Sequence, residues 1–98
     1  MERELFAVTT YCSLHNIDHS FINSLREEGL IEITIENNDE FIVEDQLQDL
    51  EIYTRWHHEL GINPEGIDAI RHLVHRLRDM QAELNSLKNK LRLYENDI

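Results

Sequence analysis

The chain has 98 residues, a formal net charge of -11 and a single cysteine, Cys12. That length allows one small domain plus one extended element, and one thiol excludes an internal disulfide and a thiolate zinc cluster. Acidic side chains concentrate in residues 1–66, with 15 acids against 3 bases, whereas residues 67–98 carry 5 acids and 6 bases. A phosphate backbone is bound chiefly through Lys and Arg, so this balance argues against nucleic acid and for a basic partner steered in by the field. The same acids also serve solubility as a solvated surface.

No secretory signal is expected from Met1-Glu2-Arg3-Glu4, because the apolar run that follows, Leu5-Phe6-Ala7-Val8, is four residues long. No stretch approaches the ~20 apolar residues of a membrane helix. The expected address is the cytoplasm. Leu5 to Val8 reads as a short extended segment. Thr9 or Thr10 is placed to cap a helix running to about Asn16, with Tyr11, Leu14 and Cys12 turned inward. Asn16-Ile17-Asp18 breaks it. Asp18 is the expected N-cap of a second helix, His19 to Glu28, with Phe21, Ile22 and Leu25 as its apolar face and Gly29 as its stop. Two short helices around a tight turn make a helix-turn-helix.

Period-two alternation follows. Ile31, Ile33 and Ile35 fall on one face and Glu32, Thr34 and Glu36 on the other. Asn37-Asn38-Asp39 is a turn cluster, and Phe41-Ile42-Val43 returns as a second strand. The result is an acidic β-hairpin in the position of a wing. Asp45 is expected to open a third helix to Leu60, with Leu50, Tyr53, Trp56, His57 and Leu60 as its inward stripe and Gly61 as its end. Asn63-Pro64 restarts the chain as a helix, as cap and first helical residue.

The last helix carries an unbroken heptad. Ile70, Leu77, Leu84 and Leu91 take one seam position; Leu73, Met80, Leu87 and Tyr94 take the other. Eight large apolar residues on one stripe call for a partner, and a second copy of the chain is the expected one; a fold-back or another protein are the other occupants. The expected organisation is an acidic head, 1–62, and a heptad helix, 63–98. The fold class is mainly α with a small β-hairpin.

Catalytic and cofactor chemistry find no foothold. The three glycines, Gly29, Gly61 and Gly66, form no phosphate loop, and no Ser or Cys lies in a nucleophile elbow. His57 and His58 are adjacent, and His72 and His75 are spaced for chelation, but no third ligand is in view and solvated helix-face histidines are expected. Trp56 reads as core, and Cys12 as a small buried hydrophobe. No enzyme activity, cofactor or metal is expected.

The order helix-turn-helix, wing, third helix closing on Glu59-Leu60-Gly61, then a long helix, resembles the layout of MerR-type regulators. The run from His58-Glu59-Leu60-Gly61-Ile62-Asn63-Pro64 through Ile70, the Gly29-Leu30-Ile31 exit and the Leu84 to Tyr94 tail resemble one branch, the CbpM-type chaperone modulators. That resemblance implies binding to the J-domain of a DnaJ-like, CbpA-type co-chaperone and restraint of its activity. J-domains present a basic helix, which an acidic surface would cover. On charge and position alone, the candidate contacts are Glu32, Glu36, Asp39 and Glu40 on the wing and Glu44, Asp45 and Asp49 entering the third helix. Two other readings stand beside this one. A MerR-like DNA-binding regulator is favoured by the helix-turn-helix but opposed by a second helix with one arginine and two glutamates. A dimerising adaptor with some other partner is the third.

Overall fold

A computed structural model describes residues 4–96; Met1-Glu2-Arg3, where no signal was expected, lies outside the described residues. In chain order the elements are β1 (Leu5–Ala7), α1 (Val8–His15), α2 (His19–Glu27), β2 (Thr34–Glu36), β3 (Asp39–Val43), a 3-10 turn (Glu44–Gln46), α3 (Leu47–Leu60) and α4 (Pro64–Asn96). The chain divides into two compact units, Met1–Asp68 and Ala69–Ile98. Among the described residues no helix is long and apolar enough to cross a membrane.

The wing is a three-stranded antiparallel sheet in the order β1-β3-β2. The hairpin was legible and the extended segment at Leu5 was expected, but its pairing with β3 as a third strand was not, because so short a run carries no sign of its partner. β1 pairs Leu5 with Val43, Phe6 with Ile42 and Ala7 with Phe41. β2 pairs Thr34 with Phe41, Ile35 with Glu40 and Glu36 with Asp39. Asn37 and Asn38, at φ 51° and 68°, close the hairpin in two left-handed residues. That geometry matches the twist of the flanking strands, and Asn tolerates it better than most residues.

The alternation expected from Ile31 to Ile35 holds only in part. Ile31 is buried and Ile33 half-buried, but β2 starts at Thr34 and Ile35 is 66% exposed. Ile35 shares its face with Ile42, which is fully buried, but sits two residue pairs nearer the hairpin tip. The inward face therefore ends at Ile42.

α1 begins two or three residues earlier than expected. Ala7 takes the cap position and no side chain caps the helix, so Thr9 and Thr10 lie inside the first turn. Counting from Val8, helical spacing puts Tyr11, Cys12 and His15 on one face and turns Leu14 away. Leu14 is accordingly 77% exposed, against the inward placement expected of it. Asp18 occupies the extended cap position of α2, but its side chain makes no capping bond. α2 buries Phe21, Ile22 and Leu25 and ends in a paired cap. Gly29, at φ 75°, donates to the Arg26 carbonyl at 3.0 Å, and Leu30 donates to the Leu25 carbonyl at 2.9 Å. This is a Schellman ending, which needs a residue at ease in the left-handed region.

The 3-10 turn delays α3, so Asp45 lies before the α-helix rather than opening it. Leu50 and Tyr53 are buried, Trp56 and His57 are half-buried, and Leu60 is 67% exposed. The inward stripe thus stops one turn before Leu60. Beyond Gly61, the Asn63 Oδ1 accepts the Gly66 N–H at 2.8 Å and caps α4. Gly66 is required by that cap: a Cβ there would meet Ile62 Cγ2 at 2.8 Å and Asn63 Oδ1 at 3.1 Å.

The core of the first unit joins Val8, Ile22, Leu25, Ile42, Leu50 and Ile67, all nearly inaccessible. Ile67 brings the first turn of α4 into that core. Thr54 is a buried polar side chain with both roles satisfied. Its hydroxyl donates to the Leu50 carbonyl at 2.8 Å and accepts from Tyr11 Oη at 2.9 Å. Burial raises the Tyr11 phenol above its usual pKa, an effect the Thr54 bond partly offsets.

Candidate functional site

The helix in the recognition position, α2, turns its polar side onto the wing. His19 Nε2 donates to Glu40 Oε1 at 2.8 Å, and Arg26 Nη1 donates to Glu40 Oε2 at 3.4 Å. The Asn23 amide donates to His19 Nδ1 at 3.1 Å, which keeps the ring proton on Nε2, facing the carboxylate. Glu40 is 28% exposed at its side chain, so the cluster is sheltered but not sealed. In residues 4–68 the Lys and Arg side chains are Arg26 and Arg55 alone. The helix that would offer cations to a phosphate backbone spends its arginine on the protein's own wing.

The other candidate acids divide by position. Glu36 and Asp39 are exposed and stand directly opposite one another at the hairpin tip. Like charges so placed disfavour the strand pair. Glu32 is exposed at the base of the wing. Its backbone is held by a side-chain amide: the Glu32 N–H donates to Gln46 Oε1 at 2.6 Å, and Gln46 Nε2 donates to the Glu32 carbonyl at 2.9 Å. Gln46 thereby takes the place of a neighbouring strand and fastens Glu32 to the turn that carries Glu44 and Asp45, both exposed. Asp49 is exposed in the first turn of α3, where the helix dipole favours a negative charge. Of the seven candidate acids, six face solvent and Glu40 is diverted inward to His19 and Arg26.

Several structural side chains escaped sequence reasoning. Gln46 carries no pattern signal. His57, expected on the inward stripe of α3, and His58, expected as solvated, are both anchors. His57 Nδ1 donates to the Ile62 carbonyl at 3.0 Å, and its ring stacks on Phe21 with centroids 4.3 Å apart. His58 Nε2 donates to the His15 carbonyl at 3.1 Å and so ties the end of α3 to the end of α1. The doubling of histidine beside a helix-ending glycine was the available clue, since such side chains reach the last carbonyls. His72 and His75 are exposed, with His75 3.8 Å from Asp79. Among the described residues no three metal-ligating side chains gather at one point.

On α4, Ile70 is half-buried, and the other seam residues, Leu73, Leu77, Met80, Leu84, Leu87, Leu91 and Tyr94, are between 46% and 75% exposed. Their stripe is continuous along one helix face.

Neither a curated protein nor a solved structure gave a significant match to this chain. The family model described as MerR HTH family regulatory protein matches residues 6–89, more than four-fifths of the sequence. The helix-turn-helix, the wing and most of the long helix fall inside that span, and the chain belongs to the MerR HTH family of regulatory proteins.

Proposed function

We propose that this MerR-family chain is a non-catalytic, cytoplasmic modulator of the CbpM type, which grips the J-domain of a CbpA-like co-chaperone and restrains it. The observation that carries the reading is the Glu40 cluster. It neutralises the arginine of α2 and leaves the remaining wing acids facing outward. A surface of this kind suits a basic helix and repels a phosphate backbone. Glu32, Glu36, Asp39, Glu44, Asp45 and Asp49 are the contacts this reading uses, with Glu40 as an internal support. The heptad seam of α4 pairs two copies into a homodimer.

A DNA-binding role has the family label in its favour, but it needs more cations than Arg26, held by Glu40, and the exposed Arg55 supply. Calorimetric titration of the full chain with the J-domain of the CbpA-like protein from the same organism, at low and moderate salt, tests the proposal. Saturable heat that weakens as salt rises is expected. No heat from a folded sample, together with a discrete gel-shift complex on duplex DNA at low salt, overturns it.

A further inference from the structure

Cross-strand partners in an antiparallel sheet share a face, and successive residues along a strand alternate between faces. The register of the wing therefore sorts its side chains. One face carries Ile42, fully buried, and Glu40, bonded to His19 and Arg26 of α2. That face looks into the head. The opposite face runs in three rows: Glu36 beside Asp39, then Thr34, Phe41 and Ala7 side by side, then Val43 beside Leu5. Leu5, Ala7, Phe41 and Val43 are half-buried, yet they are neither in the core nor among the half-buried side chains packed on it. Phe41 lies in the central strand between the short side chains of Thr34 and Ala7, so its ring is the middle of an apolar band.

Resting on the reading that the head binds a basic protein segment, we propose that the docking surface is this outward face of the wing. The segment it takes is an amphipathic helix of about three turns, apolar in the middle and basic at both ends. Width and charge select that occupant. Three strands at ~4.8 Å make a face about 10 Å wide, the diameter of a helix. Acids close both ends of the band. Glu36 and Asp39 stand at the tip. Glu4 and Glu44 stand at the base, where the Glu44 N–H donates to the Glu4 carbonyl at 3.0 Å. All four are exposed. From Asp39 to Glu44 is about 17 Å at ~3.4 Å per residue, the length of about eleven helical residues at ~1.5 Å each.

Other occupants fit less well. The one Lys or Arg in residues 4–54, Arg26, is bonded to Glu40 on the inward face. A second copy of the face would set acids against acids, and a phosphate backbone would meet no cation there. An extended peptide added to the edge of β1 or β2 would leave Phe41, in the central strand, uncovered. A helix with an apolar stripe and basic ends covers the band and neutralises both acid pairs.

The test is calorimetric titration of the full chain with the J-domain of the CbpA-like protein, at several temperatures. Phe41→Thr and Val43→Thr remove apolar surface from the band but keep strand-forming residues. Ile35→Thr does the same on the inward face, at a site 66% exposed. Phe41→Thr is expected to weaken binding about tenfold or more, as loss of a central interface aromatic does. Val43→Thr is expected to weaken it about two- to fivefold, on the scale of one methyl group, and Ile35→Thr by less than about twofold. Binding to the parent chain is expected to grow more exothermic as temperature rises, the mark of apolar burial. Phe41→Thr and Val43→Thr that fold and bind as the parent does overturn the inference and leave the acids alone as the grip. Equal losses in all three variants also overturn it. If Phe41→Thr does not fold, an unchanged affinity in Val43→Thr with a temperature-independent heat overturns it. A change in the chain's own sedimentation on Phe41→Thr gives the face to a second copy and overturns it as well. No heat from the parent chain overturns the functional reading itself, and this inference with it.

Discussion

The two units of the chain use apolar residues in opposite ways. In Met1–Asp68 the large apolar side chains converge inward, and Ile22, Leu25, Ile42 and Leu50 are completely buried. In Ala69–Ile98 the same kinds of residue repeat with stricter regularity, yet they lie on an exposed face. The regularity of a hydrophobic pattern reports that a face will be covered. Whether the cover is intramolecular depends on whether other elements of the chain supply it. The head has three short helices and a sheet to do so. The tail is one helix, about 50 Å long at ~1.5 Å per residue, and its seam calls for a surface from outside.

That contrast is broken most sharply by matched leucine truncations. Leu25→Ala is expected to cost the head about 2–5 kcal/mol in urea unfolding, since the side chain is fully enclosed. Leu84→Ala is expected to shift the urea midpoint of the dilute monomer by less than about 0.5 kcal/mol, because its site is open. Its loss is expected to appear instead in the sedimentation equilibrium of the dimer. Equal effects on unfolding would erase the distinction.

The Gln46 brace comes next in size. Gln46→Ala removes two hydrogen bonds to the Glu32 backbone, at ~0.5–1.5 kcal/mol each. Part of that is recovered from water at an exposed site, so ~1 kcal/mol in thermal or urea unfolding is expected. Faster amide exchange at Glu32 is the local check.

The buried hydroxyl pair gives a pH signature. Burial raises the Tyr11 pKa in the folded state above its ordinary value near 10. A raised acid favours its neutral form in the fold, so the stabilisation is complete below the unfolded value and is lost as pH rises through the folded one. Stability measured from pH 8 to 11 is expected to fall at the upper end. Tyr11→Phe, at ~0.5–1.5 kcal/mol for the lost bond to Thr54, is expected to flatten that fall. Cys12, also raised by burial, bends the curve in the same direction.

The smallest effect is expected from Glu40→Gln. The pairs it makes with His19 and Arg26 are partly exposed, and such pairs contribute ~0.2–1 kcal/mol. The informative readout is binding: an arginine released from Glu40 should raise nonspecific DNA affinity at low salt while leaving J-domain binding nearly unchanged.

The sequence disclosed those features of the fold that rest on repetition or on a punctuating residue. Phe21, Ile22 and Leu25 on α2, the stop at Gly29, the asparagine turn and the Asn63-Pro64 start were all legible, each by spacing or by a backbone preference. What escaped were features set by long-range partners. β1 becomes a strand only because β3 lies beside it. Leu14 and Leu60 are as apolar as any core residue, and their exposure follows from where α1 begins and where the α3 stripe ends. Among the candidate contacts, sequence located the acids but did not separate Glu40 from the rest. Only the approach of α2 to the wing distinguishes a carboxylate that supports the surface from those that form it.

In the proposed function, the exposed wing acids of the head, and not the tail, grip a basic protein partner. Titration of the J-domain with the Glu36→Lys/Asp39→Lys double variant tests it most directly, because these two residues lie at the hairpin tip, outside the core and outside the seam. A fold and a dimer equal to those of the parent chain are expected, with J-domain affinity reduced tenfold or more, about 1.4 kcal/mol. Unchanged affinity in a folded, dimeric variant would contradict it.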